Sequence, residues 1–188
     1  MTAPHEPRGA CAACHNDGRG GEVQQDITPA GRNSQGCWWY TWKYLDQIRE
    51  FIKVPMLAKG IITPEDAELC IQHGLDGVYV SNHGGRALCY EPSTIEVLPD
   101  ILAAVRGRVP VLFDSGVYHG TDAFKALALG AKAVGLGHAS RWALGAYGAP
   151  GVTRLFEIMQ KELVTAMAKA GRPTVASLDP SAVKAHFV

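Results

Sequence analysis

Four short apolar runs recur along this chain, and each breaks into a polar or glycine-rich segment at its C-terminal end. The breaks carry Lys59, His83, Asp114 and His138, which are 24, 31 and 24 residues apart. That interval is close to one strand plus one helix. Helical patterns fill the gaps between the runs. Alternation of this kind restricts the chain to an α/β fold built on a parallel sheet.

The predicted elements follow from local signals. A helix is expected over Thr41–Ile52 and a strand over Val54–Ala58. Thr63-Pro64-Glu65-Asp66 opens the next helix, with Thr63 as N-cap, Pro64 at the first helical position and two acids at the positive helix end. Gly74 stops it. Strands are expected at Gly77–Val80, Val109–Phe113 and Ala133–Leu136, with helices at Ser93–Val105, Thr121–Leu129 and about Gly151–Ala170. Each strand reads as a nearly continuous apolar run, as for strands buried on both faces. A polar tail, Arg172–Val188, ends the sequence.

Composition excludes several classes. The 18 basic residues balance the 18 acidic ones, so a general polyanion binder is not expected and nucleic acid is not a predicted partner. Hydrophobic residues make up 47% of the chain, too many for a mostly disordered protein. No apolar run reaches the roughly 18 residues of a membrane span, and the first residues lack the apolar core of a signal peptide. The five cysteines are therefore expected as reduced thiols in a cytoplasmic setting.

Ligands of parallel α/β folds sit at the C-terminal ends of the strands. One sheet end would thus collect Lys59, His83, Arg86, Asp114 and His138. In Ser81-Asn82-His83-Gly84-Gly85-Arg86, two glycines let the backbone turn tightly beside a flat ligand. His83 has the right ordinary pKa for proton abstraction near neutrality. Arg86 suits a forked grip on a carboxylate. Asp114-Ser115-Gly116-Val117-Tyr118 runs into a helix start, and Gly135-Leu136-Gly137-His138 lies one unit later. Glycine-bearing junctions of this type hold phosphate through backbone N–H groups, and in eight-stranded barrels the last two loops often do so. The expected ligand is a phosphate-bearing cofactor.

Residues 41–188 resemble the C-terminal half of the FMN-dependent α-hydroxy-acid dehydrogenases, the family of glycolate oxidase, lactate oxidase and lactate monooxygenase. The resemblance is carried by LAKGIITPEDAE, GVYVSNHGGRAL, VPVLFDSGV, GTDAFKALALGAKAVGLG and, more loosely, GRPTVASLD. It implies a TIM-barrel type fold, of which the four βα units here would be units five to eight. It implies FMN as cofactor and a small 2-hydroxy acid as substrate, oxidised to the 2-oxo acid. By position, Lys59 matches the lysine that stabilises reduced flavin and Ser81 a flavin contact. His83 matches the catalytic base, and Arg86 the arginine on the substrate carboxylate. Asp114, Ser115, Gly116, Val117 and Tyr118 match the segment around the ribityl chain and phosphate, and Gly137 and His138 the second phosphate segment. No metal is implied.

The chain departs from the family at informative places. Tyr118 and His138 stand where the family has arginines on the phosphate, and neither side chain replaces a forked fixed charge. His119 and Arg141 lie nearby in sequence. Ala87 and Cys89 replace polar residues of the motif. A complete barrel takes roughly 250 residues, against 188 here. A four-unit piece leaves two strand edges open, which a second copy or another chain would cover. The alternative expectation is therefore an inactive half-barrel remnant, or a partner-binding module without a complete FMN site.

Residues 1–37 are rich in Gly, Pro, Asn, Gln and Arg without periodicity, and read as a poorly ordered leader before a domain at 38–188. Cys11-Ala12-Ala13-Cys14-His15 fits the haem-attachment pattern C-x-x-C-H. Residues 16–37 contain no methionine for a second axial ligand, and no helix is evident there. A zinc site from Cys11, Cys14, His15 and Cys37 is equally unsupported.

Overall fold

The computed structural model describes residues 41–86 and 90–184. The leader with its Cys11-Cys14-His15 segment, and positions 87 and 89, lie outside the described residues. The chain divides into two compact units at residue 54. In the first, helix α1 spans Trp42–Phe51, and the Thr41 hydroxyl caps it by accepting from the Tyr44 N–H.

The second unit alternates strand and helix: β1 Leu57–Ile61, α2 Pro64–Gln72, β2 Gly77–Val80, α3 Thr94–Val105, β3 Val111–Phe113, α4 Gly120–Leu129, β4 Ala133–Val134 and α5 His138–Lys169. The strands form one sheet in the order β1-β2-β3-β4, parallel throughout. Two short 3₁₀ turns, Val175–Ser177 and Pro180–Ala182, follow, tied down by an Arg172–Asp179 ion pair at 3.0 Å.

Local chemistry explains the boundaries. Thr63 caps α2 through the Asp66 N–H, with Pro64 at the first helical turn. Ser93 and Glu96 cap each other reciprocally at the start of α3. The core lies between the sheet and the helices α2 to α4. Val78, Val80, Leu98, Ile101 and Val105 are essentially fully buried there, each side chain contributing about 1.5–3 kcal/mol.

Three expectations are corrected. The first strand begins at Leu57 rather than Val54 and runs through Lys59 and Gly60 to Ile61. Pro55 has no N–H to give a ladder. Gly60, at φ 104°, forms a bulge that lets pairing continue from Lys59↔Tyr79 to Ile61↔Val80. Lys59 is therefore a strand residue and not part of a loop. His138 is likewise not in a loop but is the first residue of α5, with Gly137 as N-cap. The last helix, expected over about Gly151–Ala170, already begins at His138 and runs to Lys169. Only Gly148, at φ 64° and ψ −152°, leaves helical geometry within α5. Gly151 lets the two parts meet, since a Cβ there would lie 2.3 Å from the Ala143 carbonyl oxygen.

The third correction concerns burial. The strands alternate: Val78, Val80, Val111 and Phe113 are buried, whereas Lys59, Tyr79 and Leu112 are partly exposed. The helices cover one face, and the described residues leave the other open. Among the described residues, no helix is long and apolar enough to cross a membrane.

Candidate active site

The open face leads to a cavity of about 260 Å³ at the C-terminal ends of the strands. Lys59 enters it from β1, and His83, Gly84 and Arg86 from the loop after β2. Asp114 to Tyr118 line it from the loop after β3, and Gly137, His138 and Arg141 from the start of α5. Every candidate residue from the sequence is thus brought together here except Ser81, which is fully buried behind the wall.

Ser81 has a supporting place. Its hydroxyl oxygen accepts from Lys59 Nζ at 2.7 Å and from the His83 N–H at 3.2 Å. The Lys59 ammonium also pairs with Asp114 Oδ2 at 3.1 Å and stands 5.1 Å from the centre of the Tyr79 ring. The lysine side chain is 43% exposed, so the ion pair adds no more than about 1 kcal/mol. Its main effect is to aim the charge.

The loop after β2 is built from left-handed residues. His83, Gly84 and Gly85 have φ of 56°, 73° and 70° in succession. Glycine adopts this at no steric cost, and His is among the side chains that tolerate it. Asn82 closes the turn, its side-chain oxygen accepting from the Gly85 N–H at 3.1 Å. The backward turn sets half-buried His83 and exposed Arg86 on the cavity wall.

The loop after β3 is clamped from two sides. Thr94, at the start of α3, donates its hydroxyl to the Asp114 carbonyl at 2.8 Å. The Ser115 hydroxyl donates to Asp114 Oδ1 at 2.9 Å and accepts from the Gly84 N–H at 3.2 Å, joining the two loops. Ser115 and Gly116 are both left-handed, at 74° and 70°.

Tyr79, Thr94 and Trp142 belong to the site's construction and were not singled out from the sequence. Tyr79 shares a register position with Lys59, and its hydroxyl sits where a Cβ of Gly135 would be, at 2.1 Å. Burial, and secondarily the Asp114 carboxylate, hold the Tyr79 phenol above its usual pKa. Trp142 stacks on Tyr118 at 5.4 Å and on His138 at 6.0 Å, with planes within 17° of parallel in both pairs. His119 lies outside the cavity, at the start of α4, with Nδ1 3.4 Å from Glu162.

The cavity suits an anion. Three cations, Lys59, Arg86 and Arg141, face one carboxylate, Asp114. Gly137 has a negative φ, and an added Cβ there would meet nothing within 4 Å. A phosphate-bearing flavin fits this set of donors.

Comparison with known proteins agrees. The family model described as FMN-dependent dehydrogenase matches residues 5–185. The chain belongs to the FMN-dependent dehydrogenase family. Among members of the family, it is 47% identical over 136 residues to a peroxisomal (S)-2-hydroxyacid oxidase of Arabidopsis thaliana, covering 72% of this chain and 38% of that protein. It is 44% identical over 144 residues to human 2-hydroxyacid oxidase 1, covering 77% and 39%. A soluble mutant of the (S)-mandelate dehydrogenase of Pseudomonas putida superposes with a TM-score of 0.73 at 40% identity, over 77% of this chain and 41% of that one. The chain thus spans about two fifths of the curated relatives it matches. Its four βα units form part of a TIM-type barrel, with FMN as the family's cofactor.

Proposed function

We propose that this chain carries the catalytic end of an FMN-dependent oxidoreductase that converts a small 2-hydroxy acid into the 2-oxo acid. The observation that carries this reading is the meeting of Lys59, His83 and Arg86 on one cavity whose far wall is the Ser115–Gly116 loop and the start of α5. FMN held in this cavity would supply the electron sink for the two-electron oxidation of the substrate carbon.

The chain's own residues do the rest. Arg86 holds the substrate carboxylate through a forked pair of N–H donors. His83 takes a proton from the substrate as the general base. Lys59, aimed by Ser81 and Asp114, brings a fixed positive charge into the cavity that would stabilise the negative charge of a reduced flavin. The Asp114–Tyr118 segment, with Gly137 and His138, holds the ribityl chain and phosphate. A second chain lying along the β1 or β4 edge would complete the barrel.

The test is anaerobic mixing of the flavin-loaded protein with glycolate or lactate while following the flavin's visible absorbance. Loss of colour in the wild type, abolished in His83→Asn, supports the assignment. A flavin-loaded protein that stays oxidised with every hydroxy acid overturns it. The second reading, a partial barrel without a working cofactor site, is favoured by Tyr118 and His138, which are engaged in an aromatic stack at the wall expected to hold phosphate. Failure to load with FMN at all is its signature.

A further inference from the structure

The geometry points to Arg141 as the residue that makes this cavity select a phosphorylated flavin over the same flavin without phosphate. The inference rests on the FMN reading above and names the group that replaces a missing charge.

The positive groups of the cavity fall in two places. Lys59 and Arg86 belong to β1 and the loop after β2, and the Lys59 charge is committed to Asp114 at 3.1 Å. At the α5 wall the lining side chains are Tyr118, His138 and Arg141. Tyr118 and His138 are held nearly parallel to the Trp142 indole. The His138 ring also lies against Gly84, whose added Cβ would stand 2.6 Å from Cε1. Both rings are therefore fixed in plane and offer single, directional hydrogen bonds.

Arg141 differs from them. It lies three residues after His138, so both side chains project from the same face of the first turn of α5. It makes no ion pair or side-chain hydrogen bond with the described residues. It is the fixed charge on that wall among the described residues, and its five N–H donors match a phosphate dianion. The guanidinium thus sits one helical turn further on than position 138, beside an aromatic stack that shapes the wall and leaves the charge to Arg141.

Riboflavin has the ring and ribityl chain of FMN and lacks only the phosphate, so the ratio of the two affinities isolates this wall. Both ligands are titrated calorimetrically into the full chain as wild type, Arg141→Met and Arg141→Lys. The Met variant is expected to raise the Kd for FMN at least about tenfold and that for riboflavin less than about twofold. Arg141→Lys is expected to keep part of the preference, as a point charge without the fork. Arg141 is exposed, so unchanged thermal melting of both variants is expected. Equal weakening of both ligands, or an unchanged ratio in the Met variant, overturns the proposal while leaving FMN binding standing. A wild type that binds neither ligand overturns the FMN reading, and this inference with it.

Discussion

The imidazole of His138 rests on the α-carbon of Gly84, so closely that a methyl group on Gly84 would come within 2.6 Å of Cε1. The loop after β2 and the start of α5, expected separately to touch the cofactor, therefore touch each other. Gly84→Ala must both hold an alanine at φ 73° and push His138 away. The left-handed conformation alone costs about 1–2 kcal/mol. We expect a lower melting temperature and an FMN affinity reduced by about tenfold, measured by flavin fluorescence titration.

Gly120 and Gly145 make a paired test of packing. Both lie in helices, where alanine is ordinarily better by roughly 0.5–1 kcal/mol. A Cβ on Gly145 meets nothing within 4 Å, so Gly145→Ala should stabilise by about that amount. A Cβ on Gly120 would stand 2.2 Å from the Met159 carbonyl oxygen and 2.4 Å from the Leu163 nitrogen, both backbone atoms of α5. It would also disturb the Gly120 N–H to Glu162 bond at 2.7 Å. Gly120→Ala should cost about 1–3 kcal/mol or more in urea unfolding, the range for overpacking.

Asp66 gives a pH prediction. Its carboxyl is 3% exposed in the first turn of α2, and burial pushes its pKa above the usual range despite the bond from Thr63. The folded state thus holds this proton more tightly than the unfolded chain, so the Asp66 contribution to stability falls as pH rises from 3.8 through the raised folded value. Asp66→Asn should therefore be the more stable protein at neutral pH. The difference should vanish below pH 3.8, where the carboxyl is neutral in both states. Denaturation curves at acid and neutral pH check this, and a difference that grows on acidification contradicts it.

Cys70 is a buried thiol in α2, and burial, reinforced by the nearby Asp66 charge, pushes its pKa up to about 12. The thiolate is the reactive form. A brief iodoacetamide pulse at neutral pH should leave the Cys70 peptide unmodified by mass spectrometry in the folded protein and modify it fully in urea. Rapid labelling of Cys70 in the folded state would contradict the packing of α2 on α3.

The sheet, its parallel sense and most helix starts were legible because caps and periodicity are local signals. Thr63-Pro64 and Ser93 mark their helices within a residue. The bulge at Gly60 and the start of α5 were not legible, because a strand end followed by a loop was expected after Ala58 and after Leu136. Gly60 is absorbed by register, and α5 begins at His138 directly after Gly137. The cavity residues could be read because strand ends collect on one side of a parallel sheet. Ser81, read as a cofactor contact, is buried and accepts from Lys59 Nζ, and the part played by Tyr79 depends on the close approach to Gly135. Such second neighbours arise from tertiary contact and leave no pattern in the chain.

The central claim is that Lys59, the two joined loops and the start of α5 form a flavin site within this chain. Equilibrium dialysis of the purified full chain against FMN, followed by its visible absorption spectrum, tests it most directly. The account predicts retained flavin with bands shifted from those of free FMN, and loss of that retention in Lys59→Met combined with Arg141→Met. A protein that emerges colourless, or whose flavin shows the unshifted spectrum of the free cofactor, contradicts it.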